Sequence, residues 1–239
     1  MPYQNGLTFQ DGCFIVKSKK NEGKMRSKNT YAIGVTIAAI GLATLTLPTA
    51  AAAHDVAAEI EKVRIATQKY NDVKVALAEG YIPAPPGDCI SATHEGLPPQ
   101  WGAMGIHYIN PKMLKITQTQ PRVDGKSTHT DFMHPALLLY EPQADGSLAL
   151  VGVENLVFLN AWKAAGNQAP PSFAGRSWDT MADNASTAKD EAHRFEPHLD
   201  QHVYFKKRAN PKVQLNPFSP NVTCKHHKRA MPQGGGPKK

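Results

Sequence analysis

Pro135–Phe158 reads PALLLYEPQADGSLALVGVENLVF, and this stretch decides the fold. Ala136–Glu141 is an apolar run that ends in polar residues. Ala144-Asp145-Gly146-Ser147 carries the Asp-Gly pair of a tight turn, and Leu148–Phe158 then runs out again, rich in Val and Leu. The pattern is that of a β-hairpin. Ala136, Leu138 and Tyr140 point to one side, Leu137 and Leu139 to the other, so both faces are apolar. A strand covered on both faces belongs inside a sheet rather than at its edge. Glu141 and Glu154 interrupt this apolar pair. A carboxylate is costly to bury without a partner, so these two residues need a reason to be there.

Working outward from the hairpin, Gly105–Asn110 (GIHYIN) is a short strand stopped by Asn110-Pro111. Gln201–Lys207 (QHVYFKK) alternates, which predicts Val203 and Phe205 inward and His202, Tyr204 and Lys206 outward. Asp55–Glu79 predicts one amphipathic helix. Asp55 can cap it, Gly80 can close it, and Val56, Ile60, Val63, Thr67, Tyr70, Val73 and Leu77 form its buried stripe. Trp178, Met181, Ala185, Ala188, Ala192 and Phe195 repeat at threes and fours and suggest a second helix, although Asn184, Ser186 and Thr187 are poor helix formers. The expected architecture is a single α+β domain over residues 54–224: an antiparallel sheet of about four strands with a long N-terminal helix packed on one face.

The net charge of +7 belongs to the two ends of the 239-residue chain. Residues 1–53 hold six Lys/Arg and two Asp/Glu, residues 225–239 hold five Lys/Arg and no acid, and residues 54–224 hold 16 against 18. A nearly neutral body lacks the basic face of a nucleic-acid reader. Residues 25–53 have the order of a secretory signal: Arg26 and Lys28, then the apolar Tyr31–Leu47, then Pro48 and the small residues up to Ala53. Cleavage after Ala53 would leave no stable membrane anchor and an exported protein, periplasmic or extracellular. An uncleaved anchor helix is the alternative, since the apolar run is long enough to span a bilayer. Residues 1–24 read as an over-extended start, and 225–239 as a disordered basic tail. Once the leader is removed, Cys89 and Cys224 are the only cysteines left, and an exported protein with two cysteines usually pairs them.

The chain has no phosphate-cradling Gly-rich motif, no C-x-x-C, no H-E-x-x-H and no nucleophile elbow. What remains is four polar residues on strands: His107, Glu141, Glu154 and His202. With a two-residue turn at Asp145-Gly146, Glu141 faces Leu150 and Leu137 faces Glu154, which puts both carboxylates on one face. A three-residue loop separates them, because a slip of one residue inverts a side. His107, Glu154 and His202, with or without Glu141, make a donor set of the kind zinc or iron accepts. The same four residues could hold a small ligand, work as an acid–base pair, or be polar side chains hydrogen-bonded locally on a half-wet face. The residues leave the cofactor open, with a divalent metal as the candidate, and the partner open between a small ligand and a metal. Two functions compete, a non-catalytic exported binding domain and a small metal-dependent enzyme; a purely structural envelope protein is the third. His193, His198, His226 and His227 carry weaker signals. The four-residue spacing of His198 and His202 aligns donors on a helix, whereas the stretch reads as a strand.

The segments Gly105–Pro111, Leu138–Pro142, Val151–Glu154 and His202–Lys206, with the Asn210-Pro211…Asn216-Pro217…Asn221-Val222-Thr223-Cys224 ending, resemble a family of small exported bacterial proteins of unknown function. The resemblance covers residues 70–224. It implies an exported, disulfide-bearing α+β domain and implies no activity.

Overall fold

The computed structural model describes residues 55–85, 87–187 and 190–228. The expected leader, the segment before it, and positions 229–239 of the expected tail lie outside the described residues. Helices α1 (Val56–Thr67), α2 (Val73–Ala78) and α3 (Leu159–Ala164) accompany eleven strands. These are β1 (Ile82–Pro83), β2 (Cys89–Ser91), β3 (Ala103–Ile109), β4 (Ile116–Gln118), β5 (Asp124–Gly125), β6 (Leu137–Pro142), β7 (Leu148–Phe158), β8 (Ser172–Phe173), β9 (Arg176–Ser177), β10 (Asp179–Met181) and β11 (His198–Tyr204). The fold is a mixture of helix and antiparallel sheet, as expected. The main sheet has seven strands rather than about four, in the order β1-β3-β6-β7-β11-β10, with β2 also paired to β3. The extra strands are two or three residues long, too short for an alternating pattern to announce them; β1 and β2 fall in Pro- and Gly-rich sequence and β10 in the stretch read as a helix.

The long helix is also corrected. Asp55 caps α1 by accepting the Ala58 N–H at 3.1 Å, but the helix tightens to a 3₁₀ turn over Gln68–Asn71 and restarts at Val73. Asp72 causes the break. Its carboxylate accepts the Lys74 N–H at 2.9 Å and so starts a new helix instead of continuing the old one. Of the expected stripe Val56, Ile60, Val63, Thr67 and Tyr70 are buried and Val73 half-buried, whereas Leu77 turns outward at 49 % exposure and Ala76, not foreseen, is the buried residue of α2. The one polar member, Thr67, donates its hydroxyl to Val63 O at 2.8 Å, four residues back.

This stripe packs on Ile106, Tyr108, Leu138, Tyr140, Val153, Val157, Leu199 and Val203, which form one face of the central strands. Strand alternation sends His107, Ile109, Leu137, Leu139, Glu154, Leu156, His198, Asp200, His202 and Tyr204 to the other face. That face is not open. Every residue of β11 is buried, so the outward, half-wet placing of His202 and Tyr204 is overturned: both are at most 2 % exposed. Loops and the C-terminal run cover them.

Among the described residues, the expected helix over 178–195 does not form. Its start is β10, paired with β11, and Trp178 packs edge-on against Phe132. Asn184 accepts both the N–H and the hydroxyl of Ser186, a local turn that competes with helix. Cys89 and Cys224 form a disulfide across 135 residues. It ties β2, whose Cys89 pairs with Ile106, to the C-terminal run. Lys225–Lys228 follow this bond and fold back, with the His227 N–H on Cys224 O at 2.9 Å. Among the described residues, no helix is long and apolar enough to cross a membrane.

Candidate metal centre

Hairpin register brings the site residues together. Leu137 pairs with Glu154 as the Asp-Gly reading expects. Two deviations cancel to produce this. The turn closes one residue wider, through Gln143 N–H on Ser147 O and Gly146 N–H on Gln143 O, and the extra residue is taken up by a bulge in β7 where the register shifts between Leu139 and Tyr140. Glu141 consequently faces Ala149, not Leu150.

On the site face, His202, Glu154, Leu137 and Ile109 form one cross-strand row over β11, β7, β6 and β3. His107 stands in the next row, opposite Leu139. Leu137 and Leu139 belong to different apolar clusters, one with Ile109, Leu156 and Phe158, the other with Ala103, Tyr204 and Val222. Between them His107 and Glu154 meet above β6. Glu154 Oε2 lies 3.2 Å from His107 Nε2 and 3.4 Å from His202 Nε2. The donor atoms of all three residues fall within 4.8 Å of one another. The imidazoles of His107 and His202 are perpendicular, with centroids 5.8 Å apart.

These contacts are not hydrogen bonds. Glu154 Oε2 and both ring nitrogens of His202 are buried with no hydrogen-bond partner among the described residues. Such orphaned atoms are costly, and native interiors avoid them unless something else satisfies them. Two of the three separations fit a different arrangement, and the His107–His202 one, at up to 4.8 Å, would shorten on binding an ion. Two donors each about 2.0–2.1 Å from a tetrahedral ion stand about 3.3–3.4 Å apart, longer than an ordinary hydrogen bond. His107, Glu154 and His202 therefore suit a divalent ion bound to two imidazoles and one carboxylate.

Burial pushes the Glu154 carboxyl up, and the His202 and His107 rings beside it outweigh this and hold it at about 2. Burial brings the His202 imidazole down to about 4, against the pull of Glu154. A carboxylate and a neutral imidazole are the forms that ligate a metal at neutral pH.

Glu141 does not join the set. Its Oε1 accepts the Thr223 N–H at 2.7 Å, and its Oε2 lies 3.4 Å from Gln143 Nε2. It pins the C-terminal run next to Cys224, a structural task.

A cavity of about 510 Å³ opens beside the three donors and includes all of them in its wall. Asp200 and His198 share that wall, two and four positions from His202 on the same strand. The four-residue spacing of His198 and His202 aligns side chains on a strand as well as on a helix, because four is a multiple of two. Asp200 Oδ1 is buried without a hydrogen-bond partner among the described residues, and burial, with Glu154 and Asp179 adding negative charge, raises its carboxyl well above the usual range.

Residues from two loops complete the wall. His193 Nδ1 lies 3.9 Å from Glu95 Oε1, and burial lowers the His193 pKa. His193 and Arg194 have φ of 52° and 66°, a left-handed pair that costs a non-glycine backbone about 1–2 kcal/mol per residue. The turn is held by Arg122, which donates to Phe195 O at 2.8 Å, Asp183 at 3.1 Å and Asp190 at 2.9 Å. Nothing in a loop sequence foretells these placements.

His198 gives a pH prediction that does not depend on a metal. Its Nδ1 is 2.9 Å from Glu196 O; a carbonyl only accepts, so this nitrogen carries the proton. Burial depresses the imidazole to about 4, below its unfolded value of about 6.5. The unfolded chain then takes up the proton first. Stability from this group is complete above the unfolded pKa and is lost as pH falls towards 4. Urea unfolding at about pH 7 and about pH 4.5 should show a drop in stability about 2 kcal/mol smaller in His198→Phe than in the wild type. Identical drops would mean that His198 is not held neutral.

No protein-family model, curated protein or solved structure matches this chain.

Proposed function

We propose that this domain is an exported metal-binding protein whose divalent ion sits on His107, Glu154 and His202 and keeps a coordination position open to the cavity. One observation carries the proposal: Glu154 Oε2 stands between two imidazole nitrogens at 3.2 and 3.4 Å with no hydrogen bond to either. Three protein donors beside a cavity suit an ion that exchanges a fourth ligand, whereas structural zinc is usually closed by four. Two histidines and a carboxylate also match the donor set of non-haem ferrous sites. A bound ion of this kind supplies Lewis acidity and acidifies a coordinated water. The Cys89–Cys224 bond supports export, since disulfides persist in oxidising compartments.

A metal-dependent enzyme is the second reading, favoured by His193 beside Glu95 in the wall of the same cavity, an imidazole backed by a carboxylate. Both readings require the ion. Zinc, cobalt(II) or ferrous iron should raise the Tm, by about 2.7 kcal/mol of stabilisation at a hundredfold excess over Kd, and a chelator should reverse the shift. No shift with any divalent ion would contradict the proposal.

A further inference from the structure

The cavity is larger and more apolar than an ion needs. Its volume of about 510 Å³ lies in the range of small-molecule sites, about 300–1,000 Å³. On the sheet face the polar donors run directly into aliphatic surface. Ile109 and Leu137 share the cross-strand row of Glu154 and His202, and Leu156 follows Glu154 two positions along β7. Met104, farther along β3, and Phe195, from the segment before β11, close the chamber, and all five side chains line it. At the polar end, Asp200 Oδ1 is a buried hydrogen-bonding atom that no described residue satisfies. Both flanking loops are anchored, one by the disulfide and the other by Arg122, so the chamber exists before anything enters it.

We propose that the chamber receives a small amphipathic organic molecule, with an oxygen headgroup bound to the metal and an apolar body lying on Ile109, Leu137 and Leu156. This rests on the metal reading of His107, Glu154 and His202. An oxygen headgroup such as a carboxylate or hydroxamate supplies lone pairs to the open coordination position and a group that Asp200 Oδ1 can meet. The apolar body accounts for a chamber wall of aliphatic and aromatic side chains next to a charged centre, which a hydrated ion alone would not require. Each methylene buried on that wall should strengthen binding about three- to fourfold.

The test uses the full chain loaded with cobalt(II), whose visible absorption reports on its ligands. Acetohydroxamate and octanohydroxamate are titrated separately and the cobalt bands are followed. Both should shift the bands, and octanohydroxamate should do so at concentrations lower by about a hundredfold or more, after allowance for ordering its chain. Cobalt that binds stoichiometrically but answers the two hydroxamates at equal concentrations, or the longer one only at higher concentration, overturns this inference and leaves the metal reading intact. Failure to bind cobalt overturns both. The comparison needs no substituted protein, so misfolding of a variant cannot confuse it.

Discussion

His202→Ala is expected to weaken zinc binding by about a hundredfold or more, and His198→Ala by less than about tenfold, measured by competition against a chromophoric chelator. The two histidines lie on one strand and one face, and both are buried. They differ in what their nitrogens do. His198 commits Nδ1 to Glu196 O, whereas neither nitrogen of His202 has a hydrogen-bond partner among the described residues and Nε2 stands 3.4 Å from Glu154 Oε2. Loss of His202 leaves two donors where three stood. Glu154→Ala should cost at least as much, because it also removes the negative charge that offsets the ion. Glu141→Ala should leave metal affinity unchanged, since its carboxylate is spent on Thr223. Equal losses from His198→Ala and His202→Ala would mean that these histidines are polar lining rather than a site.

Replacing Cys89 and Cys224 together by serine is expected to cost about 4–5 kcal/mol of stability on the chain-entropy argument, an upper figure for a loop of this length. The bond spans 135 residues and so closes most of the domain. Cys89 is wholly buried, and its strand is short and held on β3 by three residue pairs. Without the bond, β2 and the run around Thr223 lose their shared anchor. Ile106, the partner of Cys89, is the neighbour of His107, so metal affinity should fall as well. Denaturant unfolding of the double variant measures the first effect. A loss below about 1 kcal/mol would show that packing alone holds these segments.

Some of this was legible in the sequence for definite physical reasons. Leu137 opposite Glu154 followed from the Asp-Gly turn, but only because a wider turn and a bulge in β7 cancel. Glu141 lies on the near side of that bulge, and a one-residue error in the turn was enough to pair it with the wrong neighbour. His202 was legible as a neighbour of His107 and Glu154 and illegible as a buried residue. Alternation tells which residues share a face, not whether loops cover it. The same blindness hid Asp200, two positions away on that face. His193 and Glu95 come from irregular segments whose meeting is set by Arg122 and its acidic partners, at separations no local pattern encodes. The helix break at Asp72 was readable in principle, since an aspartate followed by a fresh apolar run is a helix start. A stripe that keeps its period across the break masks it.

The central claim concerns three convergent donors, of which Glu154 Oε2 and the His202 nitrogens have no hydrogen-bond partner among the described residues, and metal content tests it most directly. The protein should be purified without a polyhistidine tag and with His226 and His227 replaced by alanine in a parallel sample, since these two residues near the tail can collect ions of their own. Elemental analysis should find about one equivalent of a transition metal per chain in both samples, and none after substitution of His107, Glu154 and His202. A wild-type protein that emerges free of metal, and that takes up neither zinc nor iron nor cobalt on addition, would contradict the account.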